Sequence, residues 1–273
     1  MKTIIVTGSN TGIGKEAARI LAADGHRVLM LSRDSDKSRR AADEIRAATG
    51  NDDVHLFPVD LAEKSSIRAV VDRLRAEFSA IDVLVNNAGV YRTKRGVSGD
   101  GIELTFAVNY LATFMLSELL LDRLRAAGAG RIVNVISALY TDGVIDFDNL
   151  MLEQGYKAGR AYANAKLATA LYTVELAQRV EQDGVTVNAL HPGVLATDVF
   201  RDYPDALMWA AKLFLEKPAA GGERIARLAV ADDVAGVTGA YVYKEDVREF
   251  EIPAATRQKT EQLLQVSRTL TGL

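Results

Sequence analysis

The stretch Thr7-Gly8-Ser9-Asn10-Thr11-Gly12-Ile13-Gly14 follows at once on a β-branched run, Thr3 to Val6, and opens into an amphipathic run, Lys15 to Ala23. Strand, glycine turn and helix in that order make a seat for an anion. Glycines let the backbone come close, and the free N–H groups at the positive end of the helix attract negative charge. The spacing is G-x-x-x-G-x-G rather than G-x-G-x-x-G. Glycine also suits any tight strand-to-helix bend, but a place directly after the first strand favours a nucleotide pyrophosphate. Gly8, Ser9, Asn10, Thr11, Gly12, Ile13 and Gly14 are therefore the expected cofactor contacts.

The same alternation continues outward from this turn. Short apolar runs at Arg27 to Leu31, Val54 to Val59, Val83 to Val85, Arg131 to Ile136, Val185 to Leu190 and Ala240 to Tyr243 are separated by stretches of helical periodicity. Repeated β-α order implies parallel strands joined by right-handed crossovers. Runs as continuously apolar as IVNVI fit burial on both faces. The expectation is a single doubly wound α/β domain over 1–273, a parallel sheet of about seven strands with helices on both faces. No internal repeat, Pro/Ser-rich linker or charge block marks a boundary. Two regions break the rhythm of short loops, Ala138 to Arg160 and Asp198 to Ala219. Both follow C-terminal strand ends, where open α/β sheets hold ligands, so 198–219 is expected to form a substrate loop or lid rather than a decoration.

Composition narrows the function. Lys plus Arg number 33 against 36 Asp plus Glu, a net charge of −3, which leaves no electrostatic footprint for a nucleic acid. The chain has no cysteine, which excludes disulfides, thiolate metal sites and cysteine nucleophiles. His26, His55 and His191 are scattered, with no second ligand at helical spacing, so no metal is expected. No uninterrupted apolar run reaches the roughly 18 residues of a membrane span, and MKTIIVTG enters a strand without room for a signal peptide. The expectation is a cytoplasmic protein without a membrane span.

Several further motifs fall in a fixed order. Asp60-Leu61 follows the third strand, Asn86-Asn87-Ala88-Gly89 closes the fourth, and Asn109 lies in the next helix. Ser137 ends the fifth strand, Tyr162 and Lys166 form Y-x-x-x-K, and His191-Pro192-Gly193-Val194 leads to Thr197. Together with the glycine turn this order resembles the short-chain dehydrogenases/reductases over about Lys2 to Tyr243. The helix FAVNYLATFMLSELL and the long gap between Ser137 and Tyr162 resemble the retinol-dehydrogenase-like branch. The resemblance implies a Rossmann domain. It also implies that Asp60, Leu61, Asn87, Ala88, Gly89, Tyr162, Lys166, Pro192, Gly193, Val194 and Thr197 join the glycine turn in binding a nicotinamide cofactor.

A lone Y-x-x-x-K arises often by chance as a surface pair, but four residues apart on a helix the two side chains share a face. Reducing a carbonyl puts negative charge on oxygen as hydride arrives, so a proton donor and a hydrogen-bond donor are needed there. The resemblance implies that Tyr162 supplies the proton. Lys166 would favour the ionised phenol and hold the ribose, Ser137 would bind the substrate oxygen, and Asn109 would hold a water linking Lys166 to solvent. Ser137 stands alone in IVNVISALY where many relatives carry two serines. Tyr156 and Tyr172 precede no Lys by four and are read as packing residues.

The second strand ends Leu31-Ser32-Arg33-Asp34. An acidic residue there would bind ribose hydroxyls, whereas Ser32 followed by Arg33 suits a phosphate on that ribose. NADP(H) is accordingly expected over NAD(H), the competing reading being that Arg33 pairs with Asp34 or Asp36. Val90, Tyr91, Leu139, Tyr140, Val194, Leu195, Leu207, Trp209 and Phe214 are expected to line an apolar substrate pocket. The function expected is NADP(H)-dependent hydride transfer to or from a small lipophilic carbonyl or alcohol. The alternative is a non-catalytic NAD(P) sensor, which has no need of Ser137, Tyr162 and Lys166 together. A homo-oligomer through Gly101 to Ala127 and Tyr162 to Glu181 is the expected assembly.

Overall fold

In the computed structural model, residues 1–193 and 216–273 are described. The strands are β1 (Thr3–Thr7), β2 (Arg27–Ser32), β3 (Val54–Pro58), β4 (Val83–Asn86), β5 (Arg131–Val135), β6 (Thr186–His191), β7 (Tyr241–Tyr243) and β8 (Asp246–Arg248). They form one sheet in the order β3-β2-β1-β4-β5-β6-β7-β8, parallel except for the last pair. The order reverses direction between β1 and β4, so the C-terminal ends of those two strands open a crevice, where such sheets bind ligands. The eighth strand was not expected. Its residues are three, all exposed, and without alternation, and they pair antiparallel at the sheet edge.

Alternate residues of the buried strands feed two cores. Ile4, Val6, Val28, Met30, Val83 and Val85 pack with helices α1 (Gly12–Ala23) and α2 (Asp36–Thr49) on one face. Ile5, Leu29, Leu31, Leu84 and Ile132 pack with α3 (Lys64–Glu77), α4 (Leu104–Ala126) and α5 (Ala158–Arg179) on the other. Continuous apolar strands are the consequence of this two-sided burial. Helix α6 (Pro218–Val230) joins the first face and α7 (Thr260–Thr271) the second.

Helix α4 is by length and composition able to cross a membrane, but 78% of its apolar window is buried in the fold, as in a core helix. Its turn Ala107–Leu111 is a π-helix centred on Asn109. The expected pairing face on α4 and α5 is covered in part by the chain's own α7. The Tyr110 hydroxyl lies 2.8 Å from the Ser267 hydroxyl, and Leu263 and Leu264 are buried.

Candidate active site

The glycine turn lies where β1 meets α1. A Cβ on Gly14 would sit 2.3 Å from Asn87 Nδ2 and 2.5 Å from the Gly8 carbonyl oxygen, so no side chain fits there. Gly8 itself has φ +64°, a conformation open to glycine. Thr7, which the sequence reading passed over, locks the two loops together. Its hydroxyl accepts from the Asn87 and Ala88 N–H groups, both at 2.9 Å, and donates to the Val85 carbonyl. Asn87 Nδ2 donates to the Thr7 carbonyl at 2.8 Å. Below, Asn86 Nδ2 donates to Asn134 Oδ1 at 2.9 Å and Asn134 Nδ2 to the Thr173 hydroxyl, a buried ladder linking β4, β5 and α5.

A cleft of about 790 Å³ runs from this turn across the strand ends. Gly8, Asn10, Thr11, Gly12, Ile13, Gly14, Arg33, Asp60, Leu61, Asn87, Ala88, Gly89, Ser137, Tyr162, Lys166, Pro192 and Gly193 all line it. Ser9 does not. It is fully buried, with its hydroxyl unpaired. Val194, Leu195, Thr197, Leu207, Trp209, Phe214 and most of the expected lid lie outside the described residues.

At one end of the cleft stand Ser137, Tyr162 and Lys166. Ser137 ends β5 and caps a short 3-10 turn, its hydroxyl accepting from the Leu139 N–H at 3.3 Å and bonding the Tyr162 phenol. Tyr162 is half-buried, and burial pushes its phenol up to about 12 while the Ser137 bond pulls the other way. Lys166 is 3% exposed, donates to the Val135 carbonyl at 2.8 Å, and is drawn down to about 8 by burial. The expected lowering of the Tyr162 pKa is not what the protein groups produce here: burial raises it, and the opposing pull comes from the Ser137 bond.

Asn109 lies in the π-turn of α4. Its side chain is spent on a two-point bond to Val90, accepting from the N–H at 2.7 Å and donating to the carbonyl at 2.9 Å. It therefore holds the loop after Gly89 instead of facing the cleft. The next residue of that loop, Tyr91, packs its ring 5.6 Å from that of Tyr162. Of the expected pocket residues, Val90 and Leu139 line the cleft. Tyr140 does not: it is buried against Tyr241 and Phe250, its hydroxyl accepting from the Glu251 N–H at 3.0 Å. Arg92 lines the mouth, while Arg95 is turned to the Met151 carbonyl.

His191, which the sequence offered no metal partner, also lines the cleft. Burial and the nearby Lys166, Arg224 and Lys244 charges hold its imidazole down at about 4, and its Nδ1 is buried without a partner. At the other end the Arg33 guanidinium makes no ion pair or hydrogen bond among the described residues. Asp34 and Asp36 are both engaged by Arg39, and the Ser32 hydroxyl is buried and unpaired. The Arg33 carbonyl is tied by Ser38 at 2.7 Å, whose hydroxyl also accepts from Asn10 at 3.0 Å. No cluster of metal-ligating side chains exists among the described residues.

A family model described as short chain dehydrogenase matches residues 2–207. Retinol dehydrogenase 13 of Homo sapiens is 40% identical over 88% of this chain and 75% of its own length. Retinol dehydrogenase 12 of Mus musculus is 38% identical over the whole of this chain and 87% of its own. A short chain dehydrogenase from Burkholderia cenocepacia J2315 solved in complex with NADP superposes with a TM-score of 0.72 at 28% identity, covering 89% of this chain and 96% of that one. A protein from Mycobacterium Paratuberculosis reaches a TM-score of 0.79 at 27% identity over 100% and 94% of the two chains. The motif order, the crevice at the strand reversal and these likenesses agree: the chain belongs to the short-chain dehydrogenase family, on its retinol-dehydrogenase-like branch, and is an NAD(P)-dependent oxidoreductase acting on alcohol or carbonyl groups.

Proposed function

We propose that the protein transfers hydride between NADP(H) and a lipophilic aldehyde, ketone or alcohol. The observation that carries the reading is the convergence of Ser137, Tyr162 and Lys166 at one end of a cleft whose other end holds the glycine turn and the uncommitted Arg33. The cleft fits the cofactor on structural grounds. The backbone at Gly14 leaves no room for a Cβ, and the unpaired Ser32 hydroxyl and the Arg33 guanidinium stand together at the end of β2.

When bound, the nicotinamide supplies or accepts the hydride. The protein does the rest. Tyr162, kept protonated by burial, donates its proton to the carbonyl oxygen as charge builds there. Ser137, already bonded to the phenol, is placed to donate to the same oxygen and so to orient it. Lys166 puts a positive charge beside the phenolate left behind. Arg33 would hold the 2′-phosphate and Asp60, which lines the same cleft, would stand by the adenine.

The mouth carries an apolar wall beside Arg92. Val90, Val97, Leu104 and Leu139 line it, and Val97 and Leu139 are exposed. Such a wall gains about 25 cal/mol per Å² of apolar ligand surface removed from water, which favours retinoid-like or fatty aldehydes over sugars and keto acids. The relatives named retinol dehydrogenases support this direction. The test is NADPH oxidation over straight-chain aldehydes of increasing length, retinal, quinones, sterols and short keto acids. Efficiency should climb with each methylene until the cleft is full; better turnover of short polar carbonyls would reject the lipophilic reading.

A further inference from the structure

The turn His191-Pro192-Gly193, which faces Tyr162 and Lys166 across the cleft, is bracketed from behind by charges that the reaction does not use. Arg224 on α6 donates from Nη1 to the Pro192 carbonyl at 2.5 Å. Its Nη2 lies 2.6 Å from Glu216, and Lys244 holds the other Glu216 oxygen at 2.7 Å. Lys244 also donates its backbone N–H to the His191 carbonyl at 2.9 Å, and it does so from a left-handed conformation at φ 56°. A non-glycine residue held there carries strain, which the surrounding contacts must outweigh. The bracket is tight: a Cβ on Gly193 would meet Arg224 Nη1 at 2.9 Å and Glu216 Oε1 at 3.0 Å.

The helix that carries Arg224 is itself anchored to the phosphate end of the cleft. Two residues earlier, a Cβ on Gly222 would sit 2.6 Å from Glu16 Cβ and 2.9 Å from the Ala17 nitrogen of α1, so α6 and α1 touch almost backbone to backbone. A continuous rigid path therefore runs from the glycine turn through α1, Gly222 and Arg224 to the Pro192 carbonyl. Arg224 is only 11% exposed while Glu216 is 33% exposed, so the pair adds little as plain stabilisation, and what it does fix is the direction of the guanidinium toward the Pro192 carbonyl.

We infer that Arg224 is a positioning residue for the cofactor, fixing the distance between the turn that takes the pyrophosphate and the turn beside Tyr162. The inference rests on the NADP(H) reading of the cleft. It makes Arg224 necessary to a ligand that spans both turns and indifferent to one that stops at the first.

Calorimetric titration of NADPH and of 2′,5′-ADP, which lacks the nicotinamide half, separates these. Arg224→Met should weaken NADPH about tenfold and leave 2′,5′-ADP within about twofold. Arg224→Lys, which keeps a donor for Pro192, should recover most of the loss. Glu216→Gln, a milder change that leaves the Pro192 bond in place, should weaken NADPH about threefold or less, again without touching 2′,5′-ADP. It provides the same readout if Arg224→Met does not fold. Equal weakening of both ligands, or of neither, overturns the positioning role. Wild-type protein that binds neither ligand refutes the cofactor reading itself and the inference with it, a result distinct from selective survival of either ligand.

Discussion

Lys166 Nζ lies 5.5 Å from the centroid of the Tyr162 ring, with its proton directed to the Val135 carbonyl 2.8 Å away. Burial brings this ammonium down to about 8, so its charge is lost as pH rises through that value, while Tyr162, near 12, stays protonated. Proton donation from Tyr162 leaves a phenolate that the cation must stabilise, so carbonyl reduction should be level below about pH 7.5 and fall above about pH 8. Lys166→Arg, whose guanidinium stays charged, should lack that falling limb. A wild-type profile flat to about pH 9.5 would remove Lys166 from the role.

Tyr162→Phe removes the proton donor without touching the glycine turn. Turnover should drop at least about a hundredfold while the dissociation constant of NADPH changes less than about threefold. Retention of more than about a tenth of the activity would place the acid elsewhere. Asn109→Ala should act differently, by releasing Val90 and with it Tyr91. Both the KM for substrate and kcat should worsen, and the variant should melt at a lower temperature, because two part-buried bonds to backbone are lost.

Arg33 is the uncommitted cation at the adenine end, because Arg39 already engages Asp34 and Asp36. NADPH should bind at least about tenfold more tightly than NADH, a difference of about 1.4 kcal/mol, and Arg33→Asp should reverse the order. Arg39→Ala should weaken NADPH as well, to a smaller degree, by freeing Asp34 to compete for Arg33. Equal affinities for the two cofactors in the wild type would end the argument.

His191 gives an acid-sensitive stability. Its imidazole is held near 4 in the folded protein against 6.5 unfolded, so the unfolded chain takes up the proton first as pH falls. The stability that depends on a neutral His191 is complete above about 6.5, declines between 6.5 and 4, and is gone below. The full loss is up to about 3 kcal/mol. Urea titrations at about pH 7.5 and 4.5 should show His191→Gln losing less stability than the wild type over that interval; an equal or larger loss in the variant would contradict the burial argument.

Strands such as β4, β5 and β6 were legible because strands packed on both faces read as unbroken apolar runs, whereas β8 is three exposed residues with nothing periodic to see. The site was legible as far as its parts lie at strand ends in a fixed order: Ser137, Tyr162 and Lys166 do meet. The water given to Asn109 came from the resemblance; that its side chain bonds Val90 from a π-turn was not legible, because such a turn is a property of backbone hydrogen bonds that residue types do not announce. Tyr140 was expected in the pocket beside Leu139. The 3-10 turn after Ser137 instead points it into the core, where its hydroxyl finds the Glu251 N–H. Arg224 was invisible for another reason: it sits in an amphipathic helix beyond the long loop, and only the fold returns it to Pro192.

Helix α7 closes the far flank of the molecule. Lys64 Nζ bonds the Leu270 carbonyl across 206 positions of sequence, and Arg68 bonds the Thr271 and Gly272 carbonyls, so two cations of α3 cover the negative end of a helix made much later. During synthesis, then, α3 and the Tyr110 face of α4 leave the ribosome with an apolar side uncovered, and Tyr110 waits for a partner 157 positions further on before that side is sealed. Contacts of such sequence separation form slowly. The interval before residues 260–271 arrive is therefore when the nascent protein is most exposed to chaperones and to aggregation.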